Sequence, residues 1–490
     1  MVLQQVAATE FNKINKITPP GLPPLPLFGV LPFFRKYLHL ELYRLAKKYG
    51  NIFQMRVGRR KLVVINGLET IKQALVKQQD SFNARADFDI FEKPPQRFFM
   101  EMKNGELWKR HRTIVGQVMH SFWADKSEIV ENNAIEEATD LANVFLNFNS
   151  QPFDPNSYLP LATLNFMQRL MFGKRNSIDK PEDADSVAAA YSLTNINKGT
   201  QHITFLEVLP VICRPAFMLY RRKELFNFYK AVKGLKRYLS NNLKQHQEYC
   251  NTENPQNFAD ALLKASSEQT ESDRKNFRLG EQDLVMGTLA QFTGAGTEFP
   301  RLILHWCLLY MITHPDIQTK IQQEIDEVVG KEAEQIDLSY RGKLPFTEAC
   351  INEILRHSSP TTLPAVPYAT IKDTTLEGYF IPQNTPVIVS YYSLCRDERY
   401  WEKPEQFNPY RFLDENGKLK KEILDKFYPF GMGARRCIGE SLGKLQIFLF
   451  FTNLMHKCKF EKVSGDKLSL EPQPGVFMHP KNYKVLVKPR

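Results

Sequence analysis

Between Phe430 and Gly439 the chain reads F-G-M-G-A-R-R-C-I-G, and one side chain in it, Cys437, is a nucleophile. A thiolate that binds a metal must lose its proton, be shielded from water, and meet N–H donors that tune its electron release. Gly433 and Gly439 let the backbone pass close to a flat partner and turn N–H groups toward sulfur. Phe430 can cover the sulfur, and Arg435 can make a charge-assisted bond to an acid group at the partner's edge. The run Leu442, Leu445, Ile447, Phe448 predicts a helix whose N-terminus helps to stabilise a thiolate. The chemistry these residues suit is thiolate ligation of a haem iron, with Cys437 as the metal ligand and Arg435 on a haem propionate. A buried structural cysteine is the competing reading of any single Cys.

Two further spacings carry charge. Glu353 and Arg356, three apart in the helical stretch 346–357, share a face and can pair. Trp108 and Arg112, in W-K-R-H-R, are four apart and also share a face. Taken alone, each is as readily an exposed surface pair.

Together these segments resemble the cytochrome P450 family. The decapeptide agrees with its haem-binding signature at Phe430, Gly433, Arg435, Cys437 and Gly439. F-N-P-Y-R-F over 407–412 resembles the segment whose arginine completes a Glu-Arg-Arg cluster, so the resemblance implies that Glu353, Arg356 and Arg411 lock the chain leading to the Cys loop. It also implies that Trp108 and Arg112 meet a propionate. H-P-D-I-Q from His314 and the P-P-G at Pro19 extend the likeness over about Pro19 to Pro489. R-H-S-S from Arg356 and C-I-G-E from Cys437 point to the animal microsomal branch with its aryl-hydrocarbon and steroid hydroxylases. The fold implied is mostly α with a small β region, the triangular helical haem domain. The cofactor implied is haem b, iron protoporphyrin IX, with a Cys thiolate axial ligand.

The stretch T-G-A-G-T-E-F-P from Thr293 resembles the family's distal helix, usually A/G-G-x-D/E-T. Ala295, Gly296 and Glu298 agree, and the resemblance makes them the catalytic residues. The small pair opens a groove for dioxygen and Glu298 supplies the acid of a proton relay. The alcohol is missing: Phe299 stands there, with no hydrogen bond to offer. Pro300 behind it should kink the helix and free a carbonyl for water. Three readings stay open: a monooxygenase in which water and Glu298 carry protons; a haem-thiolate isomerase or dehydratase acting on a hydroperoxide or aldoxime without dioxygen; and a haem- or lipid-binding carrier. Tyr368 stands where relatives often have a His that reaches a propionate, and it brings no positive charge.

By resemblance the pocket for a small hydrophobic substrate, steroid-like, lipid or aromatic, is lined by Phe91, Phe99, Phe299, Leu363, Val366 and Phe477. The apolar, proline-broken segment 205–220 can cap that pocket and touch a membrane surface. Lys418, Lys420, Lys421, Lys426, Arg436 and Lys444 lie near the Cys loop in sequence and suit an acidic partner. The resemblance names an NADPH-dependent flavoprotein reductase, with cytochrome b5 as an optional second donor. It implies the cytoplasmic face of the endoplasmic reticulum membrane, with a cytosolic location as the alternative.

The elements that must position these residues follow from pattern. Residues 1–18 read as a leader without a membrane span, and 19–29, P-P-G-L-P-P-L-P-L-F-G, as a rigid extended hinge. From 30 to 490 we read one catalytic domain. Strands are expected at 51–57 and 61–65, at 368–371, 379–381 and 386–389, and late near Leu468 and over 483–487. Residues 68–77 and most of 125–345 have helical periodicity. Of 490 residues, 43% are hydrophobic and 35 are Phe, which suits a large core or an apolar pocket. The seven cysteines are scattered without a CxxC, which argues against a disulfide framework or a zinc site. The net charge of +11 is spread along the chain rather than gathered in an arm, which argues against nucleic-acid binding.

Overall fold

The structure is a computed structural model, and it describes residues 17–33, 37–88, 99–175, 189, 192–193, 196, 200, 202, 204–364, 366–473, 475 and 477–490. Its centre is a helix that is apolar on nearly every side. We label the main helices α1 (Leu38–Tyr49), α2 (Gly105–Leu146), α3 (Leu159–Phe172), α4 (Arg222–Gln247), α5 (Phe258–Ser267), α6 (Met286–Thr313), α7 (Pro315–Val328), α8 (Pro345–Ser358) and α9 (Glu440–Lys457). In α6 every residue from Pro300 to Ile312 is buried, the pattern of a helix enclosed by others. Helices α3, α4, α8 and α9 all pack on it. In α4, Leu225, Phe228, Ala231, Leu235, Leu239 and Leu243 are buried at three- and four-residue intervals, so it covers the core with one stripe.

The β region joins the two ends of the chain. Strands β1 (Ile52–Val57) and β2 (Arg60–Ile65) form the expected hairpin, with Gly58 at φ +56° in its turn. With β3 (Ala84–Arg85), β4 (Tyr368–Ala369) and β7 (Pro386–Val389) they make one sheet in the order β1-β2-β7-β4-β3. The pair β2–β7 is parallel, with Val63 opposite Val387, and the other pairs are antiparallel. Strands β5 (Thr374–Leu376) and β6 (Tyr379–Ile381) pair separately, as do β8 (Cys458–Lys462) and β9 (Val485–Pro489). The proline-rich strap lies along β1, where the Gln54 N–H donates to the Pro20 carbonyl at 2.8 Å. A Cβ on Gly21 would fall 1.9 Å from the Gln54 carbonyl oxygen, so only glycine fits there.

Two expectations shift. Helix α2 begins at Gly105, well before Asp125, and its backbone breaks at Lys126 (φ −127°, ψ 18°). Leu468 is in no strand; β9 pairs with β8, which continues straight out of α9. Helix α6 runs from Met286 to Thr313 with Pro300 inside it.

Beneath the Cys loop lies an ion cluster without solvent. Glu353 and Arg356 are fully buried, and both carboxylate oxygens accept from the guanidinium, at 2.7 and 2.8 Å. Arg411 Nε donates to Glu353 Oε1 at 3.1 Å and the Asn408 N–H to the same oxygen at 2.8 Å. The remaining Arg356 nitrogen donates to the carbonyls of Cys395 and Pro404, at 2.7 and 2.9 Å. Breaking a buried pair by removing one partner costs about 3–5 kcal/mol, because the other charge is left desolvated. Glu353→Ala and Arg356→Ala should each lose about that much in denaturant unfolding. Unchanged midpoints in both variants would show that the cluster holds nothing.

Candidate functional site

A cavity of 520 Å³ opens between α6 and the N-terminus of α9. On one wall is the loop 430–439. Gly433 takes φ +73°, and a Cβ there would lie 2.0 Å from the Leu75 carbonyl oxygen. The Cys437 N–H donates to the Phe430 carbonyl at 2.9 Å, which closes the loop. Cys437 is the only exposed cysteine of the seven. Its sulfur is reachable only because it faces the hollow; atoms surround it on the other sides. Burial therefore pushes the thiol up to about 11, against the pull of the Gly439 N–H. A bound cation would replace that proton. Phe430 also lines the cavity and packs near Gly443 of α9, and Gly439 borders it.

One end of the cavity is cationic. Arg85, Arg112 and Arg435 line it beside Trp108 and Tyr368. Arg435 lies 3.9 Å from the Trp108 ring centre and donates to the carbonyls of Asn83 (2.8 Å) and Lys103 (2.8 Å). Arg112 donates to the Arg436 carbonyl at 2.7 Å. Arg85 lies 4.4 Å over the Tyr368 ring and donates to the Val366 carbonyl at 2.7 Å. Burial lowers Arg435 to about 8, and the charges of Arg85 and Arg112 push the same way. Burial likewise lowers Arg112. Among the described residues, the carboxylates lining the cavity are Glu101 and Glu298, and Glu101 already accepts from Gln291 at 2.9 Å. Three guanidiniums, that of Arg435 buried, therefore gather where few carboxylates meet them, an arrangement that suits an anionic group. A flat macrocycle with a metal at its centre and two carboxylates at one edge fits the whole set: the metal on sulfur, the carboxylates among the arginines.

The opposite wall is α6. Ala295 and Phe299, four apart, both line the cavity, and Ala295 is exposed to it in an otherwise buried helix. The Phe299 ring meets Phe477 edge-on, with centres 4.4 Å apart. Gly296 also borders the cavity, and a Cβ on it would fall 2.5 Å from the Met167 sulfur of α3. Its missing side chain thus allows α6 and α3 to approach. Glu298 lies on the same wall, but both of its oxygens accept from Arg301, at 2.9 and 2.6 Å. Thr297 is fully buried and, among the described residues, its hydroxyl finds no partner; it is not one of the residues that line the cavity.

Phe99, Val366 and Phe477 line the cavity as expected from the sequence. Leu363 does not. It packs against the cluster of Val30, Leu42 and Val64 beside the sheet, while Thr361, Pro364 and Val366 on either side of it line the cavity. Phe91 lies outside the described residues. Arg85 was not foreseen: it sits in N-A-R-A outside the segments that carry the resemblance, and the β3–β4 pairing brings it to the cavity. Arg301, three residues after Glu298, had a signal in the i,i+3 spacing of opposite charges.

The chain belongs to the cytochrome P450 family: the sequence profile described as Cytochrome P450 matches residues 19–487. Proteins of this family carry haem with a cysteine thiolate as axial ligand. The chain is 34% identical over 458 residues to a polybrominated aromatic compounds synthase from Pseudoalteromonas luteoviolacea (strain 2ta16), covering 94% of this chain and 92% of that one. It is 32% identical to Cytochrome P450 1A5 of Gallus gallus (94% and 87% covered) and 33% identical to Cytochrome P450 2J2 of Homo sapiens (96% and 91% covered).

A hydrogen bond to a charged group contributes about 1.5–3 kcal/mol, which is roughly ten- to a hundredfold in a dissociation constant. Arg435→Leu and Arg85→Leu should each weaken haem retention by about that factor, read by haem transfer to an acceptor protein. Transfer at the parent rate in both would show that the cationic end does not hold the cofactor.

Proposed function

We propose that this protein is a haem-thiolate monooxygenase that inserts one atom of dioxygen into a small hydrophobic molecule. Electrons come from NADPH through a flavoprotein reductase, and Cys437 is the ligand. The observation that carries the reading is the placement of the Cys437 sulfur at one wall of an apolar cavity, facing the small residues of α6, with three guanidiniums at the rim. When bound, the haem supplies reductive activation of dioxygen, and the thiolate's electron push favours O–O cleavage. The chain supplies the rest. Arg85, Arg112, Arg435 and Trp108 hold and orient the cofactor, and Phe99, Val366 and Phe477 exclude water and bind substrate. Tyr368 supports this rim through Arg85. An aromatic substrate is the first to test, since one relative is named for polybrominated aromatic compounds and Phe299 and Phe477 offer ring edges.

The supporting surfaces are consistent with the family's partners. Val211, Ile212, Leu219 and Tyr220 are at least two-thirds exposed, an apolar patch suited to a membrane surface. No helix among the described residues is long and apolar enough to cross a membrane. We place the protein on the cytoplasmic face of the endoplasmic reticulum. Arg436 and the lysines at 418–426 are near the Cys loop in sequence and suit an acidic reductase, with cytochrome b5 as an optional second donor.

Insertion balances as substrate, dioxygen, NADPH and a proton giving hydroxylated product, water and NADP⁺. Without timely protons the same electrons leave as hydrogen peroxide. Turnover under labelled dioxygen should place one labelled oxygen in the product, and only with NADPH and reductase. A second reading is favoured by one observation, the absence of a hydroxyl at Phe299: an isomerase or dehydratase needs no proton relay to dioxygen. Conversion of a hydroperoxide or aldoxime without reductase, and no labelled product, would decide for it.

Phe299 has a measurable consequence. Pro300 has no N–H for the Gly296 carbonyl, which leaves an acceptor for water on the wall, but the side chain at 299 offers no donor. More peroxide per NADPH is expected than in a relative with Thr there, and Phe299→Thr should lower it. An unchanged peroxide fraction in Phe299→Thr would remove the missing hydroxyl from the account.

A further inference from the structure

We propose that Arg301 is a positioning residue for Glu298 and that its clamp restricts proton supply to the cavity. The proposal rests on the dioxygen-activating reading above. Glu298 is on the cavity wall, where an acid could take a proton from water and pass it inward. To take that proton it must give up a charge-assisted bond, because Arg301 occupies both oxygens, through Nε at 2.9 Å and Nη2 at 2.6 Å.

The guanidinium is itself pinned. It is 1% exposed, so it cannot turn out to water. Its Nη1 donates to Asn156 Oδ1, ahead of α3, and its Nη2 donates to His479 Nδ1 at 3.2 Å, in the C-terminal segment. Three separate parts of the chain thus fix one arginine against one glutamate. His305, one turn further along α6, faces the same guanidinium. Burial holds it well below the ordinary histidine range, and the charges of Arg301 and His479 act in the same direction. Tyr483 stacks on His305 with ring centres 4.8 Å apart and donates to its carbonyl at 2.7 Å. The titratable groups around the pair are His479, His305 and Tyr483, with Asp154 acting on Tyr483 from the segment ahead of α3. The clamp and Phe299 work together: the residue that lacks a hydroxyl follows directly on an acid that is already engaged.

Arg301→Gln and the double variant Glu298→Gln with Arg301→Gln separate the clamp from plain structure. In Arg301→Gln the buried carboxyl loses its counter-charge, and its pKa rises above the unfolded value. The folded state then binds the proton better than the unfolded one. Stability should be greatest at low pH and fall as pH rises from the ordinary glutamate range through the raised value. Thermal midpoints of the two variants should therefore diverge with pH, the single variant falling and the double variant not. In the reconstituted holoenzyme, peroxide per NADPH should drop severalfold in Arg301→Gln as pH is lowered, relative to the double variant. Parallel midpoints and equal peroxide fractions across the pH range would overturn the proposal.

If Arg301→Gln does not accumulate, Arg301→Lys decides. A single ammonium leaves one carboxylate oxygen less firmly held, so the peroxide fraction should fall below the parent's at low pH. Equality with the parent would count against the clamp. Failure of any NADPH oxidation by parent holoenzyme and reductase would sink the monooxygenase reading instead, and the midpoint comparison would still judge the clamp.

Discussion

The carboxylate of Glu353 has no contact with water, yet it accepts from Arg356, from Arg411 and from the Asn408 N–H. Through Arg356 it also fixes the carbonyls of Cys395 and Pro404. That one anion ties α8 to the irregular stretch 395–412, which precedes the Cys loop. An apolar core would not impose this registry, since hydrophobic contacts have no direction. A desolvated charge does, because any displacement leaves it unpaired at a cost of several kcal/mol. The loop that presents Cys437 has no regular secondary structure, so its position depends on such fixed points and on the approach of Gly433 to Leu75.

Around the cavity, burial displaces two kinds of group in opposite directions. It raises the Cys437 thiol to about 11 and lowers Arg435 to about 8. Both shifts have the same cause, the cost of keeping a charge away from water. A cation at the sulfur and anions among Arg85, Arg112 and Arg435 would relieve both at once. A haem, with a metal cation at its centre and two propionates at its edge, carries both kinds of charge. The polypeptide is in this sense built around a ligand of mixed charge, and the remaining apolar lining is left for substrate.

Much of this was legible in the sequence, for identifiable reasons. Strands 379–381 and 386–389 are as read, because glycine and Asn-containing turns bound short β-branched and aromatic runs. The Cys loop was legible because Phe430, Gly433, Arg435, Cys437 and Gly439 agree with the haem-binding signature of the family that the chain matches. The extent of α2 was less so: Trp108 and Arg112 were read on one helix face, but the polar stretch around them does not show that this turn continues into the apolar-periodic run beyond Asp125. Arg85 and His479 could not have been found from spacing: each reaches the site through long-range contacts, to β4 and to Arg301. Leu363 was assigned to the pocket by its neighbours in sequence, and its side chain packs instead with Val30, Leu42 and Val64.

The account's central claim is that the Cys437 sulfur, placed by the buried ion cluster and the glycine loop, becomes the thiolate of a haem. The absorption spectrum of the reduced protein under carbon monoxide tests this most directly, taken on the parent and on Cys437→Ala. The account predicts the red-shifted Soret band of a thiolate-ligated haem in the parent and its loss, with most of the bound haem, in the variant. The same red-shifted band in Cys437→Ala would contradict it.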